Sequence, residues 1–439
     1  LNWLEKQFRM KQLGTNVKKE TLAGITTFVS MAYILFVNPS VLGASGMDKG
    51  AVFTATALSA ILGCLLMAFL ANYPIAIAPG LGDNAFFTYS VVLAMGIKWQ
   101  TALAGVVVAS IIFTILTFFK IREIVINAIP HNLKLAMAAG IGMFIAFIGL
   151  QGGGLVVASK SSLVQLGSLT VPTTWLTIFG LFVTALLMAR KVPGSIFIGI
   201  VATAILGLVT GLIKAPSQIV SSIPSMKPTF AVGIKHLGDV NTPQMWAVVL
   251  IFLLVAFFDT AGTLIGLAQQ AGLMKNDKMP RIGQALMADY VSMLAGSVMG
   301  TTPTAAYVES SAGIAVGGRT GFTALVVAVL FGFGMFFSPL LSVVTTQVTA
   351  PALIIVGALM AQSLKEIEWD KFEIALPAFL TVIAMPLTYN ISYGFAFAFL
   401  IYPITMIAAG RKKELNPVVI ALFFVFIVML YVLNVLPSK

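Results

Sequence analysis

Apolar runs long enough to cross a bilayer recur along this chain, at residues 21–41, 51–70, 101–119, 135–150, 176–189, 195–212, 246–267 and 322–341. Lipid offers a backbone no hydrogen-bond partners, so each run must satisfy its own peptide groups as a helix. The alternating ten-residue pattern of a membrane barrel is absent. Composition leaves no soluble alternative: 59% hydrophobic residues against 9% charged, over 439 residues, cannot be wrapped in a polar surface. The chain reads as an all-α integral membrane protein.

Two segments break this pattern. Near residue 300 the chain reads Gly300-Thr301-Thr302-Pro303-Thr304-Ala305-Ala306-Tyr307-Val308-Glu309-Ser310, placing a carboxylate where lipid-compatible residues would be expected. A charge at that depth is costly without a partner or a cavity, which marks Glu309 as functional. Far upstream, Ala78-Pro79-Gly80-Leu81-Gly82-Asp83-Asn84 is also too short and too rich in Gly and Pro for an ordinary span. Paired interrupted segments in two halves of a membrane chain point to a transporter's substrate site, and each is expected to span half the bilayer.

The net charge of +11 comes from short loops. Lys6, Arg9, Lys11, Lys18 and Lys19 precede the first span, followed by Lys120 and Arg122, Arg190 and Lys191, Lys275, Lys278 and Arg281, Lys365 and Lys371, and Arg411, Lys412 and Lys413. Counting spans places all of these on the side of the N-terminus, which the positive-inside rule puts in the cytoplasm of a cell-membrane protein. Nucleic acid is set aside as a partner, since there is no basic stripe on a soluble domain and no recognition module. Residues 1–20 carry Leu1, Leu4 and Phe8 on one helical face among charges, the pattern of an interfacial helix, and no cleavage site follows them. With Cys64 the only cysteine and His131 and His236 the only histidines, no metal site or cofactor is expected. Catalytic motifs are missing, and an enzyme reading has little to stand on.

Residues 214–242 form the only sizeable hydrophilic interval and divide the chain into membrane repeats 21–213 and 243–439, with the interval itself expected outside the cell. Landmark spacing supports a repeat, since Gly80 precedes Pro130 by 130 − 80 = 50 positions and Gly300 precedes Pro351 by 351 − 300 = 51. An odd number of spans in the first half would insert the second half upside down, giving two inverted seven-segment repeats and about 14 segments. Residues 417–436 are a surplus apolar run that hydropathy leaves unplaced.

The motifs then become specific. GITTFVSMAYILFVNP at 24–39, APGLGDNAFF at 78–87, FDTAGT at 258–263, YVESSAG at 307–313 and GGRTG at 317–321 together resemble the AzgA-type adenine/guanine/hypoxanthine permeases. That resemblance implies a uracil-permease-type fold, with a core domain that holds substrate and a gate domain against which it moves. It also implies proton-coupled uptake of a purine nucleobase, a homodimer, and a substrate-binding role for Glu309. Asp83 stands where the family pattern has an apolar residue, adding an acid beside the expected site.

The residue chemistry is compatible with this. Purines present N–H donors beside acceptors, so a carboxylate and the backbone amides at broken helix ends would complement them. Substrate contact is therefore expected from Glu309, Asp259, Phe86, Asn84, Ala85, Thr263, Phe257 and Thr27, and proton coupling from Glu309, Asp259 and Asp83. Asp259, Gly262, Thr263 and Gly266 recur at helical spacing, as do Ala305, Glu309 and Gly313. The reading is a secondary transporter importing a purine base by proton symport and alternating access. Its alternatives are a permease for uracil or xanthine, an anion transporter of related fold, or a channel.

Overall fold

The computed structural model describes residues 2–119, 128–274 and 279–435, without the side chains at 2, 258, 259, 261, 262 and 265. Among the described residues nine helices are long and apolar enough to cross a membrane, and shorter apolar helices accompany them at Ser195–Val209 and Phe372–Thr388. Polar caps fix where many begin. Asn16, Asp48 and Thr242 accept hydrogen bonds from the backbone N–H groups of Lys19, Ala51 and Met245, opening the helices Val17–Met31, Lys49–Leu66 and Pro243–Gln270. Pro243 and Pro417 sit at first helical positions, where the missing N–H costs nothing.

The helices pack as two groups. In the first, Val17–Met31 and Lys49–Leu66 lie against Gly321–Gly334, and Trp99–Phe118 lies against Ile282–Met299 and Pro243–Gln270. In the second, His131–Gly152 packs on Thr346–Met360 and Phe372–Thr388, with Pro172–Ala189 and Ser195–Val209 alongside. Backbones in the second group approach closely because glycines face each other: a Cβ on Gly357 would lie 2.4 Å from the carbonyl oxygen of Gly142. Small residues at a crossing are how membrane helices gain contact when lipid is as apolar as leucine.

Several expectations change on contact with the structure. The interval 214–242 is exposed along much of its length and is tied to the helices at a few points: Thr54 donates to the Pro224 carbonyl, Ala231 N–H to Val298, and Thr229 to Met299. Phe8, expected at a lipid interface, is 1% exposed and packs tilted against Phe69 and edge-on against Phe322, so the turn after the N-terminal helix Asn2–Gln7 docks on protein. Pro130 caps a helix whereas Pro351 lies inside one, so the two landmark spacings do not join equivalent positions. The surplus run forms the helix Pro417–Asn434, antiparallel to Ile391–Ala408, with Phe426 stacked on Phe399 and Tyr393 bonded to Asn434. At 18 residues it is about 27 Å long, enough to cross the hydrocarbon.

Candidate functional site

The two broken segments meet. Ile77–Pro79 and Thr304–Ala306 form an antiparallel pair of short strands in the register Ile77↔Ala306, Ala78↔Ala305 and Pro79↔Thr304. Non-helical backbone is tolerated at membrane depth only where protein satisfies it. Here Gly80 N–H donates to Pro303, Tyr307 N–H to Ala76, Ala76 N–H to the Ser310 hydroxyl, and the Tyr307 hydroxyl to Pro79 at 2.5 Å. The chain turns from each strand into a short helix, Leu81–Ala85 after Gly80 and Ser310–Ala315 after Glu309. Both helix N-termini are thereby brought to one place beside the paired strands.

A cavity of about 1160 Å³ adjoins this junction. The first helix group and the broken segments contribute Tyr33, Gly80, Gly82, Phe257, Thr263, Ala305 and Glu309, and the second group contributes Ile141, Val356 and Leu359. The lining continues to His131, Lys134, Lys191 and Val192, so the cavity extends to the turn between Pro172–Ala189 and Ser195–Val209. Glu309 is half-buried on this wall, and its Oε1 accepts a hydrogen bond of 2.5 Å from the Tyr33 hydroxyl.

The expected site residues divide by position. Glu309, Phe257 and Thr263 line the cavity. Asn84, Ala85, Phe86 and Thr27 lie behind its surface: Phe86 packs edge-on against Phe252 at 4.9 Å, Asn84 bonds the Thr302 hydroxyl, and Thr27 packs against Gly313. Asp83 is buried in the first turn of Leu81–Ala85. The helix Pro243–Gln270 runs continuously through Asp259, whose side chain lies outside the described residues. Ala305, Glu309 and Gly313 do not share a helical face, since Ala305 is in a strand and Glu309 precedes the helix.

Sequence reasoning missed Tyr33 and the clasp at Glu20. The structure turns the first span at Ala32 and Tyr33, between Val17–Met31 and Ile34–Gly43, and neither glycine nor proline marks the break. Glu20 is fully buried and accepts from Arg319 N–H, Thr320 N–H and the Thr323 hydroxyl. A buried acid one turn into an amphipathic start was the available signal. His131 lines the mouth of the cavity, while His236 pairs with Asp239 on the exposed interval.

Paired broken segments, a cavity between two helix groups and a carboxylate on its wall define a multi-pass membrane transporter. The chain belongs to the Permease family (Xan_ur_permease), which matches residues 18–397. The guanine/hypoxanthine permease PbuG of Bacillus subtilis is 54% identical over 429 residues, covering 96% of this chain and 98% of its own length. The adenine permease AdeQ of Escherichia coli is 42% identical over 426 residues, covering 96% of this chain and 95% of its own length. The resemblance to AzgA-type purine permeases drawn from the motifs is borne out. In fold, the transmembrane domain of the cyanobacterial bicarbonate transporter BicA aligns with a TM-score of 0.61 at 16% identity, over 90% of this chain and 97% of that one. SLC26A9 aligns with a TM-score of 0.62 at 11% identity, over 90% of this chain and 66% of that one.

Proposed function

We propose that this protein is a secondary active transporter that imports purine nucleobases, guanine and hypoxanthine or adenine, together with protons. The observation that carries the reading is Glu309, a half-buried carboxylate on the cavity wall where the broken segments meet. A purine's ring and exocyclic N–H groups are donors that a carboxylate accepts from directly. The purine permeases among the relatives support the same substrate class. In this reading the first helix group with the broken segments is the core that carries substrate, and the second is the gate. Residues 21–213 and 243–439 are inverted repeats, the N-terminus is cytoplasmic in the plasma membrane, and the assembly is a homodimer.

The fold is shared with a bicarbonate transporter and an anion transporter. Glu309 on the cavity wall opposes an anion at this site. Uptake of radiolabelled hypoxanthine by cells lacking their own purine permeases, competed by unlabelled guanine, adenine, xanthine, uracil and bicarbonate, separates these substrates. Competition by purines alone is expected, and competition by bicarbonate without purines overturns the reading. Uptake should also fall with a protonophore and survive removal of sodium. Strict sodium dependence would replace protons as the coupling ion.

A further inference from the structure

Tyr33 occupies the turn between two helices of the first span and is 1% exposed, yet it belongs to the cavity lining. Its hydroxyl reaches Glu309 across 276 residues of sequence to make the 2.5 Å hydrogen bond. The Glu309 backbone is held on both sides, since Tyr307 N–H bonds Ala76 and Ala312 N–H bonds the Glu309 carbonyl. The carboxylate itself stands at the end of a flexible side chain. Among the described residues Tyr33 is the one side chain that donates to it.

From this juxtaposition we infer that Tyr33 is a positioning residue for substrate recognition: it holds one oxygen of Glu309 and thereby presents the carboxylate to the N–H edge of a purine. The inference rests on the purine reading above and adds a specificity element contributed by the first span. Its physical basis is preorganisation. A glutamate that is free to rotate must be ordered when the ligand binds, and ordering a rotamer-rich side chain weakens binding. A hydroxyl that already fixes the carboxylate removes that cost.

A double-mutant cycle on the purified full-length protein tests this, using whichever of guanine, hypoxanthine and adenine the unmodified protein binds. Tyr33→Phe keeps the buried ring and removes only the hydroxyl, so Kd should rise about 3- to 10-fold. In a protein already carrying Glu309→Gln, adding Tyr33→Phe should change Kd by less than about twofold, because the hydroxyl acts through the carboxylate. A purely structural tyrosine would cost the same factor in both backgrounds, and that result overturns the inference, as does parent-like affinity in Tyr33→Phe. If Tyr33→Phe does not fold, 4-aminophenylalanine at position 33 decides: it keeps the ring and a donor at the same place, and a Kd within about twofold of the parent is expected. Loss of binding by that folded variant also overturns the inference. Failure of the unmodified protein to bind any of the three bases would instead sink the functional reading, so the two failures are distinguishable.

Discussion

At the scale of one side chain, the proposed function turns on Glu309. Hydrogen bonds to a charged acceptor are worth about 1.5–3 kcal/mol, so Glu309→Gln, which trades charge for an amide donor, should weaken purine binding about 10- to 150-fold. Scintillation binding on the purified variant reads this directly. Asp370, exposed on the turn before Phe372–Thr388, is the control, and Asp370→Asn should leave affinity unchanged. A folded Glu309→Gln protein with parent affinity would move the search to Asp259 and Asp83.

Elements are tied together by a few buried groups whose loss should be felt as stability. Glu20 joins the first span to the start of Gly321–Gly334 through two backbone donors and one hydroxyl. Glu20→Ala leaves those donors buried without an acceptor, at about 1–3 kcal/mol, and should lower the thermal midpoint in detergent. Gly313 marks the tightest contact of the site helix with the first span, since an added Cβ would lie 2.1 Å from the Thr27 hydroxyl and 2.5 Å from the Ala23 carbonyl oxygen. The backbone carbonyl cannot step aside, so Gly313→Ala should lower both the thermal midpoint and uptake. Outside the spans, Arg411 holds Glu414 through two hydrogen bonds of 2.7 Å, and these keep its carboxyl below the usual range. Their contribution is present above the ordinary glutamate value of about 4.3 and fades as pH falls through the depressed range. Arg411→Ala should therefore narrow the stability gap to the parent as a melting series is carried from neutral pH into strong acid. A gap that is constant across the series would show that the pair does not contribute through these charges.

For the whole molecule, the cavity between the two helix groups runs from the broken segments to His131 and Lys191. Cys64 is the only cysteine and is buried, so single cysteines can report access. Ala312→Cys and Leu359→Cys, on opposite walls, should react with a membrane-impermeant maleimide from the basic-loop face, and saturating purine should slow the reaction. Equal labelling from both faces at once would describe a continuous pore in place of alternating access.

The membrane class and the broken segments were legible because lipid enforces simple rules. Long apolar runs must become helices and runs rich in Gly and Pro cannot, so both features follow from composition and spacing. Less legible were contacts between distant parts of the chain. No period in the sequence pairs Ile77–Pro79 with Thr304–Ala306, brings Tyr33 to Glu309, or sends Phe86 behind the cavity wall while Phe257 stays on it. The docking of Phe8 on Phe322 and of Glu20 on the 319–323 turn was hidden for the same reason. Local sequence sets how each segment satisfies its own backbone, whereas these pairings are fixed by how helices with small residues close on one another across hundreds of positions, which only the tertiary structure decides.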